Sequence, residues 1–206
     1  MLKVENLTCL RGERQLITEL SFAVPQGTLL AVTGENGSGK TSLLRMLCGL
    51  LQAEQGRILW EGQDIRTCRE QYLAGLIYVG HQNGLKDDLS PIENVTISAR
   101  LSGEAASEGQ GCAALESVGL SRAIHRLPTR VLSQGQKRRV ALARLWLMQR
   151  SLWILDEPFA ALDASATDLL MERLRSHLAN GGMVIASTHQ DIDVGIDRLN
   201  QVRLAG

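Results

Sequence analysis

The chain has no run approaching the roughly 18 consecutive apolar residues that a membrane-spanning helix needs, and its opening residues, MLKVENLTCL, lack a signal-peptide layout. The expectation is a protein that resides in the cytoplasm. Charge of one sign is missing too: 22 Lys and Arg stand against 22 Asp and Glu, so the electrostatic footprint of a nucleic-acid binder or a polybasic membrane anchor is absent. The four cysteines, Cys9, Cys48, Cys68 and Cys112, lie far apart and form no C-x-x-C pair. That argues against structural zinc, a disulfide framework and haem attachment, and leaves them as small core or surface residues. Internal repeats and low-complexity segments are absent, and no aromatic residue precedes Phe22. A chain of 206 residues suits one domain, or one domain with an insertion, and is long enough to bury a sizeable core.

What is present is organised around Gly34 to Thr41, reading GENGSGKT. The pattern G-x-x-x-x-G-K-[ST] follows the apolar run Leu29 to Val32 and precedes Ser42-Leu43-Leu44-Arg45-Met46-Leu47, a strand, loop and helix in succession. Enclosing a phosphate chain takes many inward-pointing donors and no β-carbons in the way, which glycines at 34, 37 and 39 permit. Backbone N–H groups across Gly34, Glu35, Asn36, Gly37, Ser38 and Gly39, and at the helix start through Ser42, can then face a nucleotide, with the helix dipole adding to them. Lys40 would reach the β and γ phosphates and the Thr41 hydroxyl would ligate Mg²⁺.

Around this loop the pattern predicts an α/β domain. Residues 2–10 and 20–25 read as strands of a small antiparallel sheet joined through a turn at 11–14. Leu43, Leu44, Leu47, Leu50 and Leu51 recur at helical spacing and predict one buried face. Residues 57–60 predict a strand with a turn at 61–64, and 76–79 a buried strand delivering Gly80-His81-Gln82. Ser90-Pro91-Ile92-Glu93 is a helix start with capping-box spacing, and helices are expected over 91–101 and 107–118. They belong to a helical insertion of about residues 86–148 within one domain spanning 1–206. Ser133 and Gln136 have the same capping spacing at the start of a third helix, basic at first and apolar later through Val140, Leu142, Leu145 and Leu147. The open end of that helix offers N–H donors to an anion presented from outside. Leu152 to Leu155 form an apolar strand ending in Asp156-Glu157-Pro158. Asp163 is placed to cap a helix carrying Leu170, Leu174 and Leu178 on one face. Met183 to Ser187 form a further strand with Thr188-His189 at its tip, where ligands bind in parallel sheets, and a last strand is expected over 201–204.

Hydrolysis of a nucleotide needs a phosphate cradle, a metal, a group that activates water, and neutralisation of charge developing on the γ-phosphate. Asp156 is positioned to hold Mg²⁺ and Glu157 to act as general base. Gln82 and His189 are ambiguous alone, but the order phosphate loop, Gln82, LSQGQ, strand-Asp-Glu, Ala161-Leu162-Asp163, His189 resembles the ATP-binding-cassette (ABC) ATPase family over essentially the whole chain. The resemblance implies roles residue by residue. Gln82 would contact Mg²⁺ and the attacking water, and Ser133, Gly135 and Gln136 would bind the γ-phosphate of ATP held by a second copy. Asp163 would lie at the seam of that head-to-tail homodimer, and His189 would bond the γ-phosphate. Two departures stand out: Gln134 replaces the usual glycine of the signature, and no aromatic is present near Arg11 to stack on adenine. Arg11 either lays its guanidinium on the base or is a surface arginine in a turn. The first alternative predicts weak discrimination between ATP and GTP.

Since the chain ends soon after its last strand, a transport role is expected to need a separate integral membrane permease. Among ABC subunits the spacing of YVGHQNGLKDDLSPIENV, LSQGQKRRVALARLWL and LWILDEPFAALD resembles the ATP-binding subunit of the cytochrome c maturation haem exporter. That resemblance implies a peripheral subunit on the cytoplasmic face of the bacterial inner membrane. Its partners would be an integral permease, further cytochrome c maturation membrane proteins and a haem chaperone whose loaded form is released by ATP hydrolysis. The alternatives are an ABC subunit with another cargo and a soluble P-loop kinase or GTPase, the latter disfavoured by the missing N-K-x-D motif and by LSQGQ. A non-transport ABC protein acting on nucleic acid is disfavoured by the absence of a second cassette.

Overall fold

The computed structural model describes residues 1–12, 14–188 and 199–204, the side chains of residues 11 and 14 excepted. They fall into two compact units, one formed by Met1–His81, Arg150–Pro158 and the described part of Arg175–Gly206, the other by Gln82–Gln149 and Phe159–Leu174.

The first unit opens with β1 (Leu2–Arg11) and β2 (Arg14–Val24), which pair antiparallel with Arg11 opposite Arg14. β2 begins six residues before the expected position 20. The apolar alternation is interrupted because Asn6 and Glu19 take left-handed φ values of 49° and 44° and shift the register, as bulges do. β3 (Leu29–Thr33) leads into the phosphate loop and α1 (Lys40–Leu47). Leu50 and Leu51 do not continue the buried face of this helix. The chain turns out of it at Cys48 and Gly49, whose φ is 66°, and Leu50 is left 64% exposed. β4 (Gln55–Trp60) joins the other edge of β1, and after a turn at Glu61-Gly62 the two-residue β5 (Gln63–Asp64) pairs back onto it. α2 (Arg69–Ala74), with only Tyr72 buried, carries no periodic apolar pattern and was not expected. β6 (Leu76–Val79) ends the segment.

The second unit contains α3 (Pro91–Leu101), α4 (Glu108–Ser117), α5 (Gln134–Leu142) and α6 (Arg144–Leu147). Ser90, Ser107 and Ser133 each close a complete capping box with Glu93, Gln110 and Gln136. The expected third helix is interrupted at Ala143, and α6 restarts from Arg144. Ile92, Val95, Leu115, Val118, Leu132 and Val140 form the core of this unit.

β7 (Leu152–Asp156) returns to the first unit. α7 (Ala164–Ala179) follows, then β8 (Met183–Ser187) and β9 (Leu199–Arg203). The main sheet has the order β6-β7-β8-β3-β9 and is parallel at every pairing. β7 and β8 are buried along their whole length, as expected where both faces of a parallel sheet are covered. That is why they read as unbroken apolar runs rather than alternations. Register sets Asp156 beside Ser187 and Val32 beside Ser187 at the carboxyl ends of the strands, the edge at which open α/β sheets bind ligands.

Candidate nucleotide site

The phosphate loop is folded tightly on itself. Gly34 has φ 147°, and a β-carbon there would lie 2.6 Å from Ser38 Oγ and 2.8 Å from the Leu204 carbonyl oxygen, so only glycine fits. Gly37 (φ 83°) and Gly39 (φ 100°) turn the backbone into α1, with Gly39 as its N-cap residue. Lys40 is buried, and its Nζ donates to the carbonyls of Gly34 at 2.8 Å and Glu35 at 2.9 Å. The ammonium therefore spans the loop from inside. Unlike α3, α4 and α5, α1 begins with no side-chain cap, and Ser38 Oγ is buried without a hydrogen-bond partner. An uncapped helix start, an orphaned hydroxyl and a positive group on one loop form a site that fits an anion of phosphate type.

Behind the loop, Thr41 Oγ1 donates to Asp156 Oδ2 at 2.9 Å, and Ser187 Oγ donates to Asp156 Oδ1 at 2.6 Å. Asp156 is 1% exposed. Ser187 Oγ also accepts the backbone N–H of Glu157 at 2.8 Å, so two strand ends and the helix start share one network. Thr41 and Asp156 together fit Mg²⁺ carried in with a nucleotide, since that ion keeps several waters and takes few protein ligands. Glu157 has φ 48°, left-handed for a residue with a β-carbon, and its Oε2 lies 3.8 Å from His81 Nδ1. Backbone strain of this kind gathers at functional positions. Burial, with the Asp156 carboxylate adding to it, pushes the Cys48 thiol up, so it stays protonated and inert.

Ser187 had no signal in the sequence. Its role follows from the pairing of β7 with β8, which brings Ser187 beside Asp156 from 31 residues away. In the second unit Gln82 is exposed at the start of a loop. The far half of that loop is held by the buried Asn94, whose Oδ1 accepts the Lys86 N–H and whose Nδ2 donates to the carbonyls of Lys86 and Leu89. Asn94 too was not anticipated. Each residue of the basic run at the start of α5 has a side-chain partner: Lys137 with Asp87, Arg138 with Asn83 and Arg139 with Asp163. Ser133 and Gln134 are exposed. The open helix start expected at Ser133 is in part closed from within, because Ser133 Oγ accepts the Gln136 N–H and Gln136 Oε1 accepts the Ser133 N–H. The Ser133 hydroxyl, the remaining first-turn N–H groups and the dipole lie outside these two bonds. Asp163 Oδ1 accepts the Ala166 N–H at 2.9 Å and so caps α7. His189 and the Arg11 side chain lie outside the described residues.

A glycine-rich phosphate loop between a central parallel strand and a helix, tied to a strand-end aspartate, defines the class as a P-loop nucleotide-binding domain. Residues 17–160 match the family described as ABC transporter. A protein of Dechloromonas aromatica named cytochrome c biogenesis ATP-binding export protein CcmA is 48% identical over 99% of this chain and 100% of its own. Its namesake in Nitrosomonas europaea is 52% identical over 93% of this chain and 90% of its own. The solved dimeric structure of MJ0796, a bacterial ABC transporter cassette, shares the fold with a TM-score of 0.86, covering 100% of this chain and 94% of that one at 23% identity. The chain belongs to the ABC transporter family, within its group of cytochrome c biogenesis ATP-binding export proteins.

Proposed function

We propose that the protein is the ATP-hydrolysing subunit of a bacterial inner-membrane ABC complex for haem export in cytochrome c biogenesis, coupling hydrolysis to release of a haem-loaded chaperone. The observation that carries the ATPase reading is the hydrogen bond from Thr41 to Asp156, which joins the phosphate loop to the strand-end carboxylate. The cargo reading is supported by the names and near-complete coverage of the relatives. No helix among the described residues is long and apolar enough to cross a membrane. The subunit would sit on the cytoplasmic face of the membrane beside an integral permease and other cytochrome c maturation proteins.

In this reading Lys40 and the loop N–H groups hold the β and γ phosphates. Thr41, Asp156 and Gln82 would hold Mg²⁺, which would supply charge neutralisation for the phosphate oxygens. Glu157 takes the proton of the attacking water, its main chain fixed by Ser187. Ser133, Gly135, Gln136 and Asp163 of a second copy complete the pocket, and His189 bonds the γ-phosphate. The test is Glu157→Gln. Turnover should fall about 10² to 10⁴-fold, the worth of a positioned general base, while ATP stays bound and a closed dimer accumulates on gel filtration. Unaltered turnover removes Glu157 from this role.

A further inference from the structure

The second unit contains a connection that the nucleotide chemistry does not require. Arg139, on α5, is 17% exposed at its side chain, with Val118, Leu142, Leu162 and Leu169 around it. Its Nη1 donates to the carbonyl of Gly119 at 3.2 Å and is 3.5 Å from that of Val118, just past the end of α4, while Nη2 donates to Asp163 Oδ2. The carboxylate of Asp163 is divided, one oxygen capping α7 and the other held by Arg139. Gly119 makes room for this: its φ is 73°, and a β-carbon would lie 3.0 Å from Arg139 Nη1. A second contact runs parallel to the first. A β-carbon on Gly135 would lie 2.8 Å from the Ala161 carbonyl oxygen, and Ala161 itself has φ 62°.

We propose that Arg139 is a positioning residue that binds the signature helix and the Asp163 loop into one piece, so that Ser133 and Asp163 reach a second copy in fixed relation. The proposal rests on the two-copy reading given for the function. A guanidinium suits the task because its planar fork serves two directions at once and is anchored on one side by main-chain carbonyls. The pair is half open to water, since Asp163 is 62% exposed at its side chain. Its effect is therefore expected on geometry more than on stability.

The experiment is a double-mutant cycle on the turnover of the full-length protein, using Arg139→Met and Asp163→Asn. Asparagine still caps α7, so Asp163→Asn spares the helix start, and the cycle separates the bond to Arg139 from any direct contact Asp163 makes with a second copy. Each single change should lower kcat about three- to tenfold, and the double variant should be no slower than the worse single, a coupling of the size seen for residues in one network. ATP affinity of the dilute single chain, measured with a fluorescent nucleotide, should be unchanged in all three. Losses that multiply in the double variant, or an unaltered kcat in Arg139→Met, overturn the proposal. Should Arg139→Met fail to fold, Arg139→Lys, which keeps the charge but cannot span both sides, replaces it in the same cycle. Ser133→Ala separates the two layers: if it leaves turnover untouched, the two-copy reading falls. If it lowers turnover while the cycle shows independence, only the clamp falls.

Discussion

In the first unit the groups around the phosphate loop are buried and bonded to one another. Lys40 is held by loop carbonyls and Asp156 by Thr41 and Ser187, while α1 starts without a side-chain cap. In the second unit α3, α4 and α5 each begin with a capping box built on their own serine, at Ser90, Ser107 and Ser133, and Ser133 and Asp163 are exposed. One region is arranged to receive an anion by itself. The other, in the two-copy reading proposed above, would finish a site begun on a second copy. In that reading the difference would let one chain carry both halves of a composite pocket without either half competing for the other's ligand.

The contrast can be broken most sharply at Lys40. Lys40→Met should abolish nucleotide binding by the dilute chain and lower turnover by at least about 10² to 10³-fold, the scale for losing one principal charge stabiliser; retained affinity in a binding titration would erase the distinction. Ser133→Ala should leave that affinity alone and lower turnover about 10 to 10²-fold, the worth of one hydrogen bond to a charged group. Gly135→Ala sharpens the point from the packing side. Its β-carbon meets the Ala161 carbonyl, so a stability loss of about 1–3 kcal/mol in denaturant titration should accompany the loss of turnover. The smallest effect is expected at Ser107→Ala, where a cap worth about 1 kcal/mol is lost and kcat is unchanged.

The parallel strands other than β9 were legible almost to the residue because each reads as a short apolar run, as in Leu76–Val79 and Met183–Ser187; β9, exposed along most of its length, begins two residues before the expected 201. Helix starts were legible for a different reason, since Ser90 and Glu93 act locally and need no tertiary context. What local pattern could not reveal were its interruptions. Gly49 ends α1 while the leucine spacing runs on, Glu19 displaces the register of β2, and Ala143 divides the basic helix. At the site, Thr41 and Asp156 could be named from their motifs. Ser187 could not, because its part depends on which strands become neighbours, and Arg139 read only as one of three consecutive basic residues.

Glu157 occupies a backbone conformation that a residue without a β-carbon would adopt at no penalty. Conformations of this type cost on the order of 1–3 kcal/mol, so the chain keeps there a side chain that its own architecture disfavours. A library of variants screened for heat resistance alone should drift toward glycine or asparagine at position 157, and, with Glu157 as the proposed general base, its most robust members would be those that can no longer turn over.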